Sequence, residues 1–139
     1  MAPVSVCCDS EGEVFVVENG NSRISQFSSK TGEFRRRSFW EPGRLEYPWG
    51  IALDPGRKER KEKEVGETGE EEVLLVCDWG NNRLVVLDKM TGEVIAKIVP
   101  KKSEELVSPL FVAIGGEGEE DGDHDRNVYV TDSNGVEVF

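Results

Sequence analysis

Two stretches of this chain run in register with one another. From Glu18 to Glu33 and from Asp78 to Glu93 the residue pattern recurs at a constant offset of 60, with no insertion in either copy. A repeat of this kind restricts the fold before any single residue does, because each unit must bury its apolar side against a neighbour of the same kind. The first unit reads Pro3-Val-Ser-Val-Cys-Cys-Asp9, Glu13-Val-Phe-Val-Val-Glu-Asn-Gly-Asn-Ser-Arg23-Ile-Ser-Gln-Phe27 and Lys30-Thr-Gly-Glu-Phe34. The second reads Pro48-Trp-Gly-Ile-Ala-Leu-Asp54, Glu72-Val-Leu-Leu-Val-Cys-Asp-Trp-Gly-Asn-Asn-Arg83-Leu-Val-Val-Leu87 and Met90-Thr-Gly-Glu-Val94. A third opens at Pro109-Leu-Phe-Val-Ala-Ile-Gly115, continues Asn127-Val-Tyr-Val-Thr-Asp-Ser-Asn134 and ends Gly135-Val-Glu-Val-Phe139.

Short runs rich in β-branched and aromatic residues, with turn residues at each boundary, predict strands throughout. Strands a to d of the first unit fall at 4–8, 14–17, 23–27 and 34–37. Those of the second fall at 51–53, 73–76, 83–87 and 94–99, and the third supplies 111–114, 128–131 and 136–139. Gly32 and Gly92 stand where a tight c–d hairpin needs positive φ, and Gly20 and Gly80 stand at matching points of the b–c turn, where left-handed geometry is expected. No segment offers a helical period. The prediction is an all-β chain of four-stranded antiparallel units, the tandem form of propeller blades. Eleven strands make an open array of about 2.75 blades, with blade 1 at about 3–46, blade 2 at about 47–108 and a partial blade 3 at about 109–139.

The run Pro-x-Gly-Ile-Ala-Leu-Asp, followed by Val-x-Asp-x-Gly-Asn-Asn-Arg and an alternating apolar strand, resembles the NHL repeat. Pro48–Asp54 and Val76–Leu87 follow that pattern closely; the first unit departs at Cys7, Cys8 and Glu18, and the third has Gly135 where arginine is expected. The resemblance implies a propeller that commonly receives peptide, protein or RNA ligands on the face formed by b–c and d–a loops. On this chain that face would carry Asn19, Arg44, Tyr47, Trp49, Trp79, Asn81 and Asn134, and Trp, Tyr and Arg are the types enriched at interface hot spots. The residues repeated once per unit, Glu18 with Arg23, Asp78 with Arg83, and Asp132, read as scaffolding: a carboxylate closing strand b and a guanidinium opening strand c can brace the corner by a charge-assisted bond.

Charge bears on partners. The formal net charge is −11, yet residues 54–72 (five basic, eight acidic) and 117–125 (six acidic) account for −3 and −6 of it, leaving about −2 for the body. An acidic chain makes nucleic acid an improbable ligand, since that contact needs a basic field. Both acidic insertions lie between strands a and b, opposite the b–c/d–a face. No apolar run reaches the roughly 18 residues of a membrane span. Three cysteines without metal spacing suggest reduced thiols and an intracellular, cytoplasmic setting.

Catalytic signals are weak. Asp121 to Asp132 has EF-hand spacing, but Arg126 occupies the position that needs glycine, so an aspartate-rich hairpin is the simpler reading, with weak calcium binding as the alternative. His124 is the only histidine. No nucleophile elbow, P-loop or dinucleotide motif occurs, and no catalytic residue, metal ligand or cofactor is assigned. Arg35-Arg36-Arg37 falls on an outermost strand, where charge discourages edge pairing. The expectation is a non-enzymatic interaction scaffold for a protein or peptide. Its alternative is a fragment of a metal-dependent propeller enzyme, lactone hydrolase-like or amidating lyase-like. Because propellers gain stability by closure, the chain is expected to be a fragment of a longer protein, or to self-associate into a ring, or to dock on a partner.

Overall fold

The computed structural model describes residues 2–36, 44–56, 72–99, 105–115 and 127–139. Among these, eleven strands form three antiparallel sheets in chain order, with two single turns of 3-10 helix. Sheet 1 holds β1 (Ser5–Cys8), β2 (Glu13–Glu18), β3 (Arg23–Ser28) and β4 (Phe34–Arg36). Sheet 2 holds β5 (Pro48–Asp54), β6 (Val73–Asp78), β7 (Arg83–Asp88) and β8 (Val94–Ile98). Sheet 3 holds β9 (Phe111–Gly115), β10 (Asn127–Asp132) and β11 (Gly135–Val138). Each sheet is a meander, every strand pairing with its sequence neighbour. The largest departure from expectation is β5, which begins at Pro48 instead of Ile51; a register irregularity between Pro48 and Ile51 lets the strand continue past Gly50. The 57–64 charge run, Arg37, Asp121, His124 and the acidic stretch 117–125 lie outside the described residues.

Alternation along each strand decides which side is buried. In sheet 2, Leu74, Val76, Val85 and Leu87 face sheet 1 and join Phe15, Val17, Ile24, Leu45 and Ile51 in one core; Leu75, Cys77 and Leu84 face sheet 3 and join Leu106, Val130 and Phe139 in a second. The central strand β6 is therefore apolar without interruption from Val73 to Cys77, as a strand covered on both sides must be. The close approach of sheets 2 and 3 falls at Gly50, where a Cβ would stand 2.6 Å from the Leu110 carbonyl oxygen and 2.8 Å from the Phe111 Cα.

The turns repeat as faithfully as the strands. Gly32 and Gly92 take φ of +70° and +73° in the c–d hairpins, as expected, and the β3–β4 and β7–β8 pairings shift register at the same place, with Arg35 and Ile95 as the extra residues. The b–c turns differ from expectation. The left-handed residues are Ser22 and Asn82, both at φ +50°, while Gly20 and Gly80 have ordinary φ. The chain makes a right-handed 3-10 turn over 79–81 and reverses only on entering β7. Gly80 is required for another reason: its added Cβ would meet the Glu46 carbonyl oxygen at 2.8 Å, and its N–H donates to that same oxygen.

Cys7, Cys8 and Cys77 are all free thiols. Burial is the first cause that pushes Cys7 and Cys77 up to about 12, so neither forms the reactive thiolate at neutral pH. No more than one equivalent of a thiol reagent, at Cys8, is expected to react with the folded chain, against three after denaturation; fast reaction of two or more would contradict this packing.

Candidate functional site

Each b–c corner is built on one carboxylate. Asp78 is fully buried; its Oδ2 accepts from Arg83 Nε at 2.7 Å and Asn81 Nδ2 at 2.9 Å, and its Oδ1 accepts from the Glu46 N–H at 2.7 Å. Arg83 also donates through Nη2 to the Arg44 carbonyl at 2.7 Å. The pair thus ties together the b–c turn and the incoming d–a loop of the same sheet. Glu18 closes the matching turn of sheet 1 within that turn and β3, accepting on Oε2 from Arg23 Nε (2.9 Å), Arg23 Nη2 (2.6 Å) and Asn21 Nδ2 (2.7 Å), and on Oε1 from the Ser25 hydroxyl. In sheet 3, where Gly135 replaces the arginine, Asp132 turns to backbone: Val107 N–H at 3.1 Å, Asn134 N–H at 2.7 Å and Gly135 N–H at 3.0 Å.

The Arg23 guanidinium above all, then Ser25 and Asn21, hold the Glu18 carboxyl down from 4.5 to about 2 against the opposing effect of burial. A folded-state pKa below the unfolded value gives stability that is present above about 4.5 and is lost as pH falls toward 2. Urea midpoints measured across that window should fall further for the wild type than for Glu18→Gln. Parallel losses in the two proteins would remove this role for Glu18.

The d–a loops carry a repeated device that the strand pattern did not single out. Leu45-Glu46-Tyr47-Pro48 and Leu106-Val107-Ser108-Pro109 share a buried leucine and a buried proline, and between them a left-handed residue, Tyr47 at φ +46° or Ser108 at φ +52°. The N–H of that residue reaches back to the preceding sheet: Tyr47 to Ser22 Oγ at 3.2 Å, Ser108 to Asn82 Oδ1 at 2.8 Å. The sequence signal is the Leu-x-x-Pro that opens the second and third units.

One consequence is that Tyr47 is turned outward, next to Trp79. Their rings meet edge to face, centroids 6.4 Å apart at 86°. With Trp49 and Asn19 they line an open recess of about 270 Å³ between the corners of sheets 1 and 2. Asn19 is fixed by donating from Nδ2 to the Pro48 carbonyl at 3.1 Å. The lining has no charged side chain, and Tyr47 and Trp79 remain 47% and 38% exposed. Four of the seven residues that the sequence places on this face, Asn19, Tyr47, Trp49 and Trp79, therefore converge. Three do not: Arg44 sends its guanidinium to the Gly92 carbonyl at 2.9 Å, Asn81 is committed to Asp78, and Asn134 sits on the tight β10–β11 turn of sheet 3.

The opposite rim is polar. Lys89 Nζ contacts Glu72 Oε2 at 2.6 Å, Asp9 Oδ2 at 2.9 Å and Glu11 Oε2 at 3.5 Å, clasping the a–b turn of sheet 1 to sheet 2. Burial opposes the charge on Lys89, but its bonds to Glu72 and Asp9 prevail and raise its pKa. A second recess of about 280 Å³ lies here, and Lys89, Asp9 and Arg35 are among its lining residues. Arg35 also stands 3.8 Å from Glu13. Among the described residues no three His, Cys, Asp or Glu side chains gather as a metal-binding group, and no helix is long and apolar enough to cross a membrane.

Comparison with solved structures decides the architecture. The chain superimposes on selenomethionine-substituted virginiamycin B lyase from Staphylococcus aureus with a TM-score of 0.52 over 96% of its own length, at 17% sequence identity. The chain has a β-propeller fold, as an open array of three sheets. It spans 39% of the length of that neighbour, and at this identity the likeness shows the fold alone. No family model and no curated protein sequence matches the chain.

Proposed function

We propose that this propeller segment is an interaction module of NHL-like repeats, without catalysis of its own, that binds a protein or peptide partner on the b–c/d–a face. The observation that carries this reading is the recess itself. Tyr47, Trp49 and Trp79 come from two separate elements of sheet 2, and Asn19 comes from sheet 1, yet they line one concavity. Tyr47 and Trp79 stay exposed and Trp49 is half-buried, while nearby polar groups are bound into the scaffold. Rigid aromatics at the centre of a recess, with polar groups around it, are the usual anatomy of a binding hot spot.

The carboxylates repeated once per sheet support a non-catalytic reading, because each is saturated by scaffold donors. NHL-like character rests on Pro48–Asp54 and Val76–Leu87, with blades bounded at about 3–46, 47–108 and 109–139.

The test is a selection of displayed random peptides against the whole chain. Peptides that are enriched should bind Trp79→Ala and Trp49→Ala at least tenfold more weakly, about 1.4 kcal/mol, and bind a variant of the opposite rim, Arg35→Ala, normally. Enriched peptides indifferent to both tryptophans would overturn the assignment.

A further inference from the structure

Sheets 1 and 3 each leave one apolar face open. On sheet 3, the register Tyr129↔Ala113, Thr131↔Phe111, Tyr129↔Val138 and Thr131↔Val136 puts these six residues on one side. Of these, Val136 is 64% and Phe111 54% exposed, and none is charged. On sheet 1 the corresponding side holds Val6, Cys8, Val14, Val16 and Phe27, with Phe34 packed edge-on against Phe27. Val6 is 59% exposed. Among the described residues, the one ion pair on this side is Glu18–Arg23, at the corner.

The repeat states what each face is shaped to meet. By the 60-residue offset, Val14, Val16 and Phe27 of sheet 1 stand where Leu74, Val76 and Leu87 stand in sheet 2, and those three are completely buried against the preceding sheet. Aligned on Asp132 and Asp78, Tyr129 and Thr131 of sheet 3 stand where Leu75 and Cys77 stand, and those are buried against the following sheet. One open face therefore has the form that receives a following blade, and the other the form that receives a preceding one. We propose that a second copy of this chain supplies both, sheet 3 of each copy packing on sheet 1 of the other, so that two chains close one ring of six blades. The count favours two copies: three sheets doubled give six, within the roughly four to eight blades that propellers adopt, while three copies would give nine. Head-to-tail contact of this kind forms a closed ring where the rotation closes, and contiguous apolar faces of this sort mark association sites.

One difference from the internal joints lies on the innermost strand. Ser5 and Gly50 stand at one point of the repeat, and Gly50 lies against the backbone of the next sheet; sheet 3 has Phe111 there. The ring therefore opens wider at that joint, with Phe111 filling the gap.

Light scattering of the full chain tests this, read together with two variants that place a charge on open positions, Val6→Glu and Val136→Glu. Circular dichroism keeps loss of fold apart from loss of association. The wild type should weigh twice 15.5 kDa, 31 kDa. Each variant alone should weigh 15.5 kDa, because each disrupts both joints of its own ring. An equimolar mixture of the two should regain mass, since it restores one wild-type joint. A monomeric wild type overturns the proposal. So does a Val6→Glu variant that still dimerises, since that would mean like faces pair, and so does a wild-type mass above two copies.

Discussion

Replacing Asp78 with alanine should destabilise the chain by about 3–5 kcal/mol, measured by urea unfolding. The carboxylate is inaccessible to solvent and accepts from Arg83, Asn81 and the Glu46 N–H. Its removal leaves the Arg83 guanidinium without its buried partner and the Glu46 amide unsatisfied. Breaking a buried ion pair by deleting one member costs about that much, and an unpaired backbone N–H adds to the loss. Against a typical total stability of about 5–15 kcal/mol, the effect can approach global unfolding. Asp132→Ala should cost less, because among the described residues no guanidinium is stranded and its donors are backbone groups, two beside the β10–β11 turn and one, Val107 N–H, in the d–a loop. A loss under 1 kcal/mol for Asp78→Ala would mean that the corner is held by packing instead of by this carboxylate.

Gly50→Ala should cost about 1–3 kcal/mol, the usual range for overpacking, while Gly115→Ala should be neutral or slightly stabilising. Both glycines lie on innermost strands, and neither has positive φ. They differ in what surrounds them. At Gly50 the added methyl would enter the backbone of sheet 3, 2.6 Å from the Leu110 oxygen, and backbone has nowhere to rotate away. At Gly115 the nearest atom is a ring carbon of Tyr129 at 3.7 Å, an ordinary contact. There the alanine also reduces the freedom of the unfolded chain, worth about 0.4–1 kcal/mol. Equal effects at the two positions would mean that sheets 2 and 3 do not approach each other as described.

Much of the fold could be read from the residues, and the reasons are local. The c–d hairpins follow from Gly32 and Gly92, whose φ a side chain would resist. The burial of sheet 2 on both sides follows from the uninterrupted apolar run in β6, Val73 to Cys77. The corner pairs Glu18–Arg23 and Asp78–Arg83 follow from a carboxylate and a guanidinium brought face to face across one turn. What escaped depends on contacts between distant segments. Gly80 looks like a turn glycine and is instead a space for the Glu46 carbonyl. Leu45 and Leu106 sit in connecting segments and are nonetheless buried core residues.

The same division holds in the candidate site. Tyr47, Trp49 and Trp79 were legible as aromatics on the loop-poor rim. Their convergence with Asn19 depends on the left-handed turn at Tyr47, and a tyrosine gives no local sign of one. Arg44 illustrates the reverse case. Its residue type suits an interface, and its guanidinium is drawn to Gly92.

If the recess is the binding surface, a peptide should report on it directly. The most direct measurement is a nitrogen–proton NMR titration of the chain with an enriched peptide, its indole signals assigned through Trp49→Phe and Trp79→Phe. The indole N–H signals of Trp49 and Trp79 should move together with the Asn19 side-chain amide, while the amides of Gly12, Gly32 and Gly92 on the opposite rim hold still. Movement of those three glycines with both indoles unchanged would place binding on the other rim and contradict the account.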